Sequence, residues 1–517
     1  MMRNETSPSR QRIVSLWFKR LSTDRVAWQQ GRDPHPLAVF GKRGNADYLV
    51  AVNAAAERLG LHPGVTLAHA RALHPDLAVV TEDAAADAQL LDRLTDWCVR
   101  YTPLVSDNAP DGILLDIGGC AHLFGGEQAL LDDLAARVAG FGFTLRIAVA
   151  GTIGAAWAAA RYTARTIVAS GDERAMLAPL PLAALRIPGE TAATLTRVGL
   201  KRIGDILDMP RAPLAGRFGT GLLQQLDRAL GRESEPLQPR LPVAPYVAEQ
   251  RFAEPIAREE DVLAITEHLA GRLKILLERG GDGARHVELA LFRTDGAVQR
   301  IAAGTSRPIR DPGEIRALFV ERLAALADEV DPGFGYDMAR LSITGAEPCP
   351  PEQICLGGSE DQAELDCLVD RLSARLGAQR ITRMIARDSH IPELAGVTVP
   401  AQTDVGDDGW IAYRNFRAAE GLSPRPLRLF AHPEPIEAIA SVPDGPPARF
   451  RWRRAQHEVA AAEGPERIEN TWWSEEEGVA RDYFRVEDTN GLRFWLYRAG
   501  LYRDTAEPRW FMHGLFA

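Results

Sequence analysis

A centre that moves phosphoryl groups with metal ions needs carboxylates that meet at one point from the ends of neighbouring buried strands, because hard divalent cations take oxygen ligands. Few residues here could form such a set. The stretch "RIVSLWFKRL" (12–21) contains a nearly unbroken apolar run, Ile13, Val14, Leu16, Trp17 and Phe18. That pattern suits a strand buried on both faces. The end of such a strand is a natural seat for a metal ligand, and here it holds Trp17 and Phe18. A second apolar run, "DGILLD", is bracketed by Asp111 and Asp116 after a Pro-Asp-Gly turn. Asp116 reads as a mid-strand structural residue, and Asp24 as a solvated loop or helix carboxylate. His35, His62, His69 and His74 lack metal-ligand spacing to any cysteine or carboxylate cluster and read as surface or packing residues.

The elements that would carry these residues mix strand and helix. "DYLVAVNAAAERLGLHPG" reads as a strand leading into a helix that ends near Gly60, and "TLAHARALHPDLAVV" as a short helix and a strand. Leu90, Leu91, Leu94, Trp97 and Cys98 recur at helical spacing within residues 83–101. Leu145 to Val149 reads as a further strand, followed by an alanine-rich helix from Gly154 to Tyr162. Residues 178–238 look all-helical. Residues 246–346 then read strand, long helix, strand, strand, helix, strand, with Thr294-Asp295-Gly296 as the hairpin turn. Past Glu347 proline recurs, and "PCPPEQICLGG" reads as a linker. Another hairpin, "DYFRVEDTNGLRFWLYR", turns at Asn490-Gly491.

Composition bounds the function. With 517 residues, three or four domains are expected, and 46% hydrophobic residues supply real cores. A net charge of -10 argues against a generally basic nucleic-acid binder while leaving local basic patches open. The five cysteines, Cys98, Cys120, Cys349, Cys355 and Cys367, form no CxxC pair, which argues against a disulfide framework or a zinc module. No apolar signal region and no run near the ~18 apolar residues of a membrane span are visible, so a cytoplasmic protein is expected.

In this order the motifs resemble the Y-family (translesion) DNA polymerases, from "RIVSLWF" through "GVTLAHARALHPDL", "DGILLDIGG", "IPG" and "RIGDIL" to the α+β domain ending near residue 346. "CAHLFGGE" (120–127), "GAAWAAARY" (154–162), "RDYFRVE", "GLRFWLYRAG" and "WFMHGLFA" are similar to the ImuB family, polymerase-like proteins of a bacterial mutagenesis cassette. The resemblance implies an α+β multidomain fold: a palm (10–20 and 85–175), fingers (21–84), a helical thumb with a degenerate helix-hairpin-helix (178–240), a little finger (246–346) and a C-terminal extension (347–517).

It also implies which catalytic positions have changed. The first metal-ligand position falls on Trp17 and a further one near Lys19. In the second motif Asp111 takes the Asp position and Gly112 the Glu position. The fingers Tyr and Arg that hold the incoming triphosphate fall on Ala54 and Glu57, and a Glu there repels phosphate. The paired aromatics that sense the sugar fall on Leu21 and Ser22, and residues 147–160, where a lysine is expected, contain no Lys or Arg. The implied protein is a non-catalytic scaffold with no cofactor. Rival readings are a working translesion polymerase with unusual metal ligands and a DNA-binding module with no clamp role.

Three further motifs suggest partners. "IPGETAATLTRVGLKRIGD" offers Gly189, Lys201 and Arg202 to a phosphate backbone, an expected weak and salt-sensitive hold on DNA. Gln353, Ile354, Cys355 and Leu356 fit the first four positions of a bacterial sliding-clamp peptide whose aromatic is replaced by Gly357; the terminal "GLFA" is the competing site. "RFRWRR" (449–454) reads as a basic half-buried strand or as a stacking surface for single strands. Trp472, Trp473, Phe484, Phe494, Trp495, Trp510, Phe511 and Phe516 are more aromatics than so short a tail is expected to bury alone. The resemblance implies that this tail meets the cassette partners, the RecA-like ImuA and an error-prone C-family DNA polymerase.

Overall fold

The computed structural model describes residues 11–31, 35–164, 166–327, 329–350, 360–404, 406, 409–421, 424–440, 445–469, 480–500 and 509–516. The chain forms two compact units, Met1–Ile354 and Cys355–Ala517.

The first unit is built around an antiparallel sheet in the order Val105–Asn108, Gly112–Asp116, Ile13–Trp17, Arg146–Ala150. The apolar run at 13–18 therefore occupies an interior strand. Its alternation splits it between two cores. Ile13 faces the alanine-rich helix Ile153–Tyr162 together with Leu114, Ala148 and Ala150. Val14, Leu16 and Phe18 face the other way, among Leu91, Leu94 and Trp97 of helix Ala84–Cys98 and Leu130 and Leu134 of helix Glu127–Gly140. The register sets Trp17 opposite Gly112 on one side and Arg146 on the other.

A separate three-stranded sheet, Ala46–Val52, Leu37–Arg43 and Ala78–Thr81, carries the short helices Ala54–Arg58 and Leu67–Leu73. The Leu37–Arg43 strand and the preceding helix Leu21–Gln29 add to the elements expected from sequence. Six helical elements lie between Glu173 and Ala229. A second four-stranded antiparallel sheet follows, in the order Val298–Ile309, Asp282–Arg293, Tyr336–Pro348, Tyr246–Ile256. Helices Glu259–Gly280 and Pro312–Ala325 are its helical partners, and its hairpin turns at Gly296 with φ 88°, a left-handed conformation that suits glycine.

The second unit departs most from expectation. Helix Glu360–Leu376, the hairpin Thr382–Ala386/Gly396–Pro400 and helix Trp410–Ala419 precede a closed barrel. The barrel strands are Arg428–Ala440, Pro447–Trp452, Ala455–Ile468, Arg481–Asp488, Arg493–Ala499 and Arg509–Leu515. Closure gives the tail a core of its own: Phe484, Phe494, Trp495 and Trp510 are all buried. Of the eight aromatics expected to exceed what the tail can bury alone, these four are covered by the barrel itself. The missing wall comes from residues 428–468, where Phe450 and Ile468 join the same cores. Phe511 and Phe516 are half-buried, and Trp472 and Trp473 lie outside the described residues.

Candidate functional site

Trp17, Asp111 and Gly112 come together at one end of the central sheet because the Ile13–Trp17 and Gly112–Asp116 strands pair in that register. The indole Nε1 of Trp17 donates to Asp111 Oδ2 at 2.8 Å. The other carboxylate oxygen, Oδ1, accepts from Arg161 Nη2, also at 2.8 Å. Arg161 arrives from the last turn of helix Ile153–Tyr162, and its guanidinium lies over the Trp17 ring at 5.3 Å and over Trp157 at 4.2 Å. Arg146, the register neighbour of Trp17, adds a second guanidinium 5.7 Å from the same ring. Burial pulls the Arg161 pKa below its usual value, partly offset by Asp111. Gly112 is crowded as well. A Cβ there would lie 3.0 Å from the Asn108 carbonyl and 3.2 Å from Arg161 Nη2.

This donor set does not fit a divalent metal. Its single carboxylate has each oxygen accepting from an N–H, the indole offers no oxygen, and two guanidinium charges lie over that indole and repel a second cation. Residues 147–160 lack Lys and Arg, but Arg146 and Arg161 bracket that window and were not singled out in the sequence; their basic character next to an aromatic strand end was the available signal.

Glu57, expected from the resemblance to replace a triphosphate-binding Arg, is also held by groups of the chain itself. Asn53 caps helix Ala54–Arg58 through Ala56 N–H, accepts from Leu37 N–H and donates to the His35 carbonyl, tying helix to sheet. The helix thereby presents Glu57 to the end of the first strand, where Lys19 Nζ donates at 2.6 Å and Arg20 also donates. Those bonds, Lys19 first, hold the Glu57 carboxyl below its usual range. Ala54 is exposed and offers no polar group.

The other carboxylates have structural roles. Asp116 Oδ1 accepts from Gly118 N–H at 2.9 Å, at the opposite end of its strand from Asp111. Asp24 is half-buried rather than solvated, since Asp24 Oδ2 accepts Thr144 N–H at 2.6 Å. Burial raises its pKa, opposed by that bond. Of the four histidines, His35, His62 and His69 are exposed and His74 is half-buried.

Gly189 begins helix Gly189–Arg197 with Glu190 in its first turn. Lys201 and Arg202 lie on a separate turn, and both of their backbone N–H groups donate to Asp205 Oδ2 at 2.8 Å. A carboxylate of the chain already fills that amide nest, leaving the two exposed side chains as the available phosphate contacts. Gln353, Ile354, Cys355 and Leu356 lie outside the described residues. In 449–454 the strand Pro447–Trp452 turns Phe450 and Trp452 to one face and Arg449 and Arg451 to the other. That split puts Arg449 and Arg451 away from the rings, whereas Arg453 of the following turn lies over the Trp452 ring at 4.7 Å.

Among the described residues no helix is long and apolar enough to cross a membrane. Residues 26–161 match the impB/mucB/samB family. DinB from Sulfolobus solfataricus aligns with a TM-score of 0.37 at 14% identity, covering 64% of this chain and 98% of that one. DNA polymerase IV of Alkalilimnicola ehrlichii is 26% identical over 331 residues, 62% of this chain and 90% of the relative. Protein ImuB of Caulobacter vibrioides is 41% identical over 471 residues, covering 89% of this chain and all of the relative. That likeness takes in the second unit as well as the polymerase-like first one, and the chain belongs to the ImuB family.

Proposed function

We propose that the chain is a non-catalytic, polymerase-shaped scaffold in DNA damage tolerance and induced mutagenesis. It links the sliding clamp to an error-prone C-family polymerase and a RecA-like partner, and its own hold on DNA is weak. The observation that carries this reading is the Trp17–Asp111–Arg161 cluster, which puts an ion pair and an indole where two-metal chemistry needs open carboxylates. Recruitment is assigned to the second unit. Helix Glu360–Leu376 supports this assignment, because Leu365, Leu368, Leu372 and Leu376 are exposed while Asp370, Ser373 and Ala374 are buried.

The test is capture by purified clamp and purified partners, comparing the full chain with a chain lacking 347–517. Loss of both partners from the truncated, still cooperatively melting protein is expected. Gln353→Ala with Leu356→Ala should weaken clamp binding at least tenfold, about 1.4 kcal/mol. Parental capture of both partners by the truncated chain would move recruitment to the first unit. An unchanged clamp affinity in the double variant would move the clamp peptide to the terminal "GLFA".

A further inference from the structure

The first unit contains a cavity of about 530 Å³ that the centre around Trp17 does not use. One wall is the helix-free face of the second sheet. Strand register places Val247, Ser342 and Glu288 in one row of that face, and Glu249, Arg340, Ala290 and Arg300 in the next. The opposite wall is residues 99–103 with Leu123 and Phe124, and the connecting segment 241–244 closes one side. Arg340 joins the walls by donating to the Val99 carbonyl at 2.9 Å.

Two features make this cavity unlike a packing defect. Its surroundings are aliphatic and open: Leu123 is 69% exposed, Val243 52% and Val247 40%. Its charge is also unbalanced. Arg100, Arg272, Arg300 and Arg340 line it against two acids, Glu249 and Glu288. Glu249 pairs with Arg340, Glu288 with Arg300, and Asp337 holds Arg100, while Arg272 donates to the Glu249 backbone carbonyl. Arg272 therefore adds a cationic side chain to the lining that no carboxylate of the lining balances.

We propose that this cavity binds an extended segment of a partner protein that presents aliphatic side chains beside a carboxylate. The aliphatic surround supplies the area such side chains need, and the surplus of guanidinium groups supplies the complement for one acid. A phosphodiester strand fits less well. It brings charge at every residue, whereas three of the four guanidiniums already hold carboxylates and much of the lining is apolar. The inference does not depend on whether the Trp17 centre is inert.

The probe is a fluorescent ten-residue peptide alternating leucine and aspartate, titrated into the full-length chain, with the leucine–lysine counterpart as control. Saturable binding of the acidic peptide at one site is expected, at least tenfold tighter than the lysine peptide. Leu123→Asp changes an exposed side chain, so it should leave the melt unchanged and weaken the acidic peptide at least fivefold. Arg300→Gln should weaken it comparably and, because it frees the Glu288 carboxylate, should not weaken the lysine peptide. Equal binding of the two peptides would overturn the proposal. So would unchanged affinity in Leu123→Asp, or displacement of the peptide by oligo-dT at lower concentration than by unlabelled peptide.

Discussion

The end of the Ile13–Trp17 strand and the helix Glu360–Leu376 treat polar and apolar groups in opposite ways. At the strand end, both oxygens of Asp111 and the carboxylate of Glu57 are occupied by donors from the chain itself. On the helix, the small and polar side chains Asp370, Ser373 and Ala374 turn inward, and four leucines face out. A polar site that is satisfied internally has little left to offer a substrate, whereas a stripe of exposed leucine gains free energy when something covers it. The contrast puts exposed apolar area on the helix and internally satisfied polar groups at the strand end.

Core and surface of the second unit give the largest expected difference. Trp495 is buried against Tyr483, with ring centroids 4.1 Å apart. Trp495→Ala should cost about 3–5 kcal/mol and remove the barrel's cooperative melt. Leu368→Ala on the exposed stripe should stay within about 0.5 kcal/mol. Similar costs at the two positions would mean that the stripe is covered in the free protein, and the comparison would fail.

Acid should separate the barrel from the first unit. His513 is fully buried, hydrogen-bonded through Nδ1 to Tyr483 at 2.8 Å, and close to Glu393, with Arg481 and Arg425 nearby. Burial is the main cause that lowers its pKa to about 4; Glu393 opposes it, and the two arginines add to it. A histidine depressed in the folded state contributes stability above its unfolded value of about 6.5, and that contribution is lost as pH falls toward 4. The barrel melt should therefore lose at most about 3 kcal/mol across that window. His513→Gln should flatten the profile, as followed by tryptophan fluorescence. An unchanged slope in that variant would assign the acid sensitivity to the carboxylates.

A smaller effect is expected at the Trp17–Asp111–Arg161 cluster. Arg161→Ala leaves Asp111 with the indole alone, and since Asp111 is partly exposed the cost should be about 2 kcal/mol, below that of breaking a fully buried pair. Thermal denaturation of the variant measures this. No loss of stability would mean that Arg161 is a bystander.

Much of this contrast is legible in the sequence, though unevenly. The run at 13–18 and "DGILLD" give their strands directly, because burial on both faces leaves continuous apolar residues. Trp17, Asp111 and Gly112 are visible as a group only through family resemblance. Arg161 is not, because its role depends on where helix Ile153–Tyr162 ends over the sheet, a long-range relation that local pattern does not encode. The barrel is hidden by its prolines. Pro433 lies within a register shift of strand Arg428–Ala440, and Pro465 within one of strand Ala455–Ile468, so prolines that argue against a strand mark irregular points in barrel strands. The same blindness produced the expectation of uncovered tail aromatics, since their covering wall sits in that proline-rich stretch.

The measurement that bears most directly on the central claim is primer extension by the purified full-length chain on a primed template, with Mg²⁺ and separately with Mn²⁺. The Trp17–Asp111–Arg161 cluster, with both Asp111 oxygens engaged, predicts no template-dependent incorporation with either ion. Incorporation that follows the template and disappears in Asp111→Ala would contradict the account, because it would show that this carboxylate leaves its indole and guanidinium partners to hold a metal.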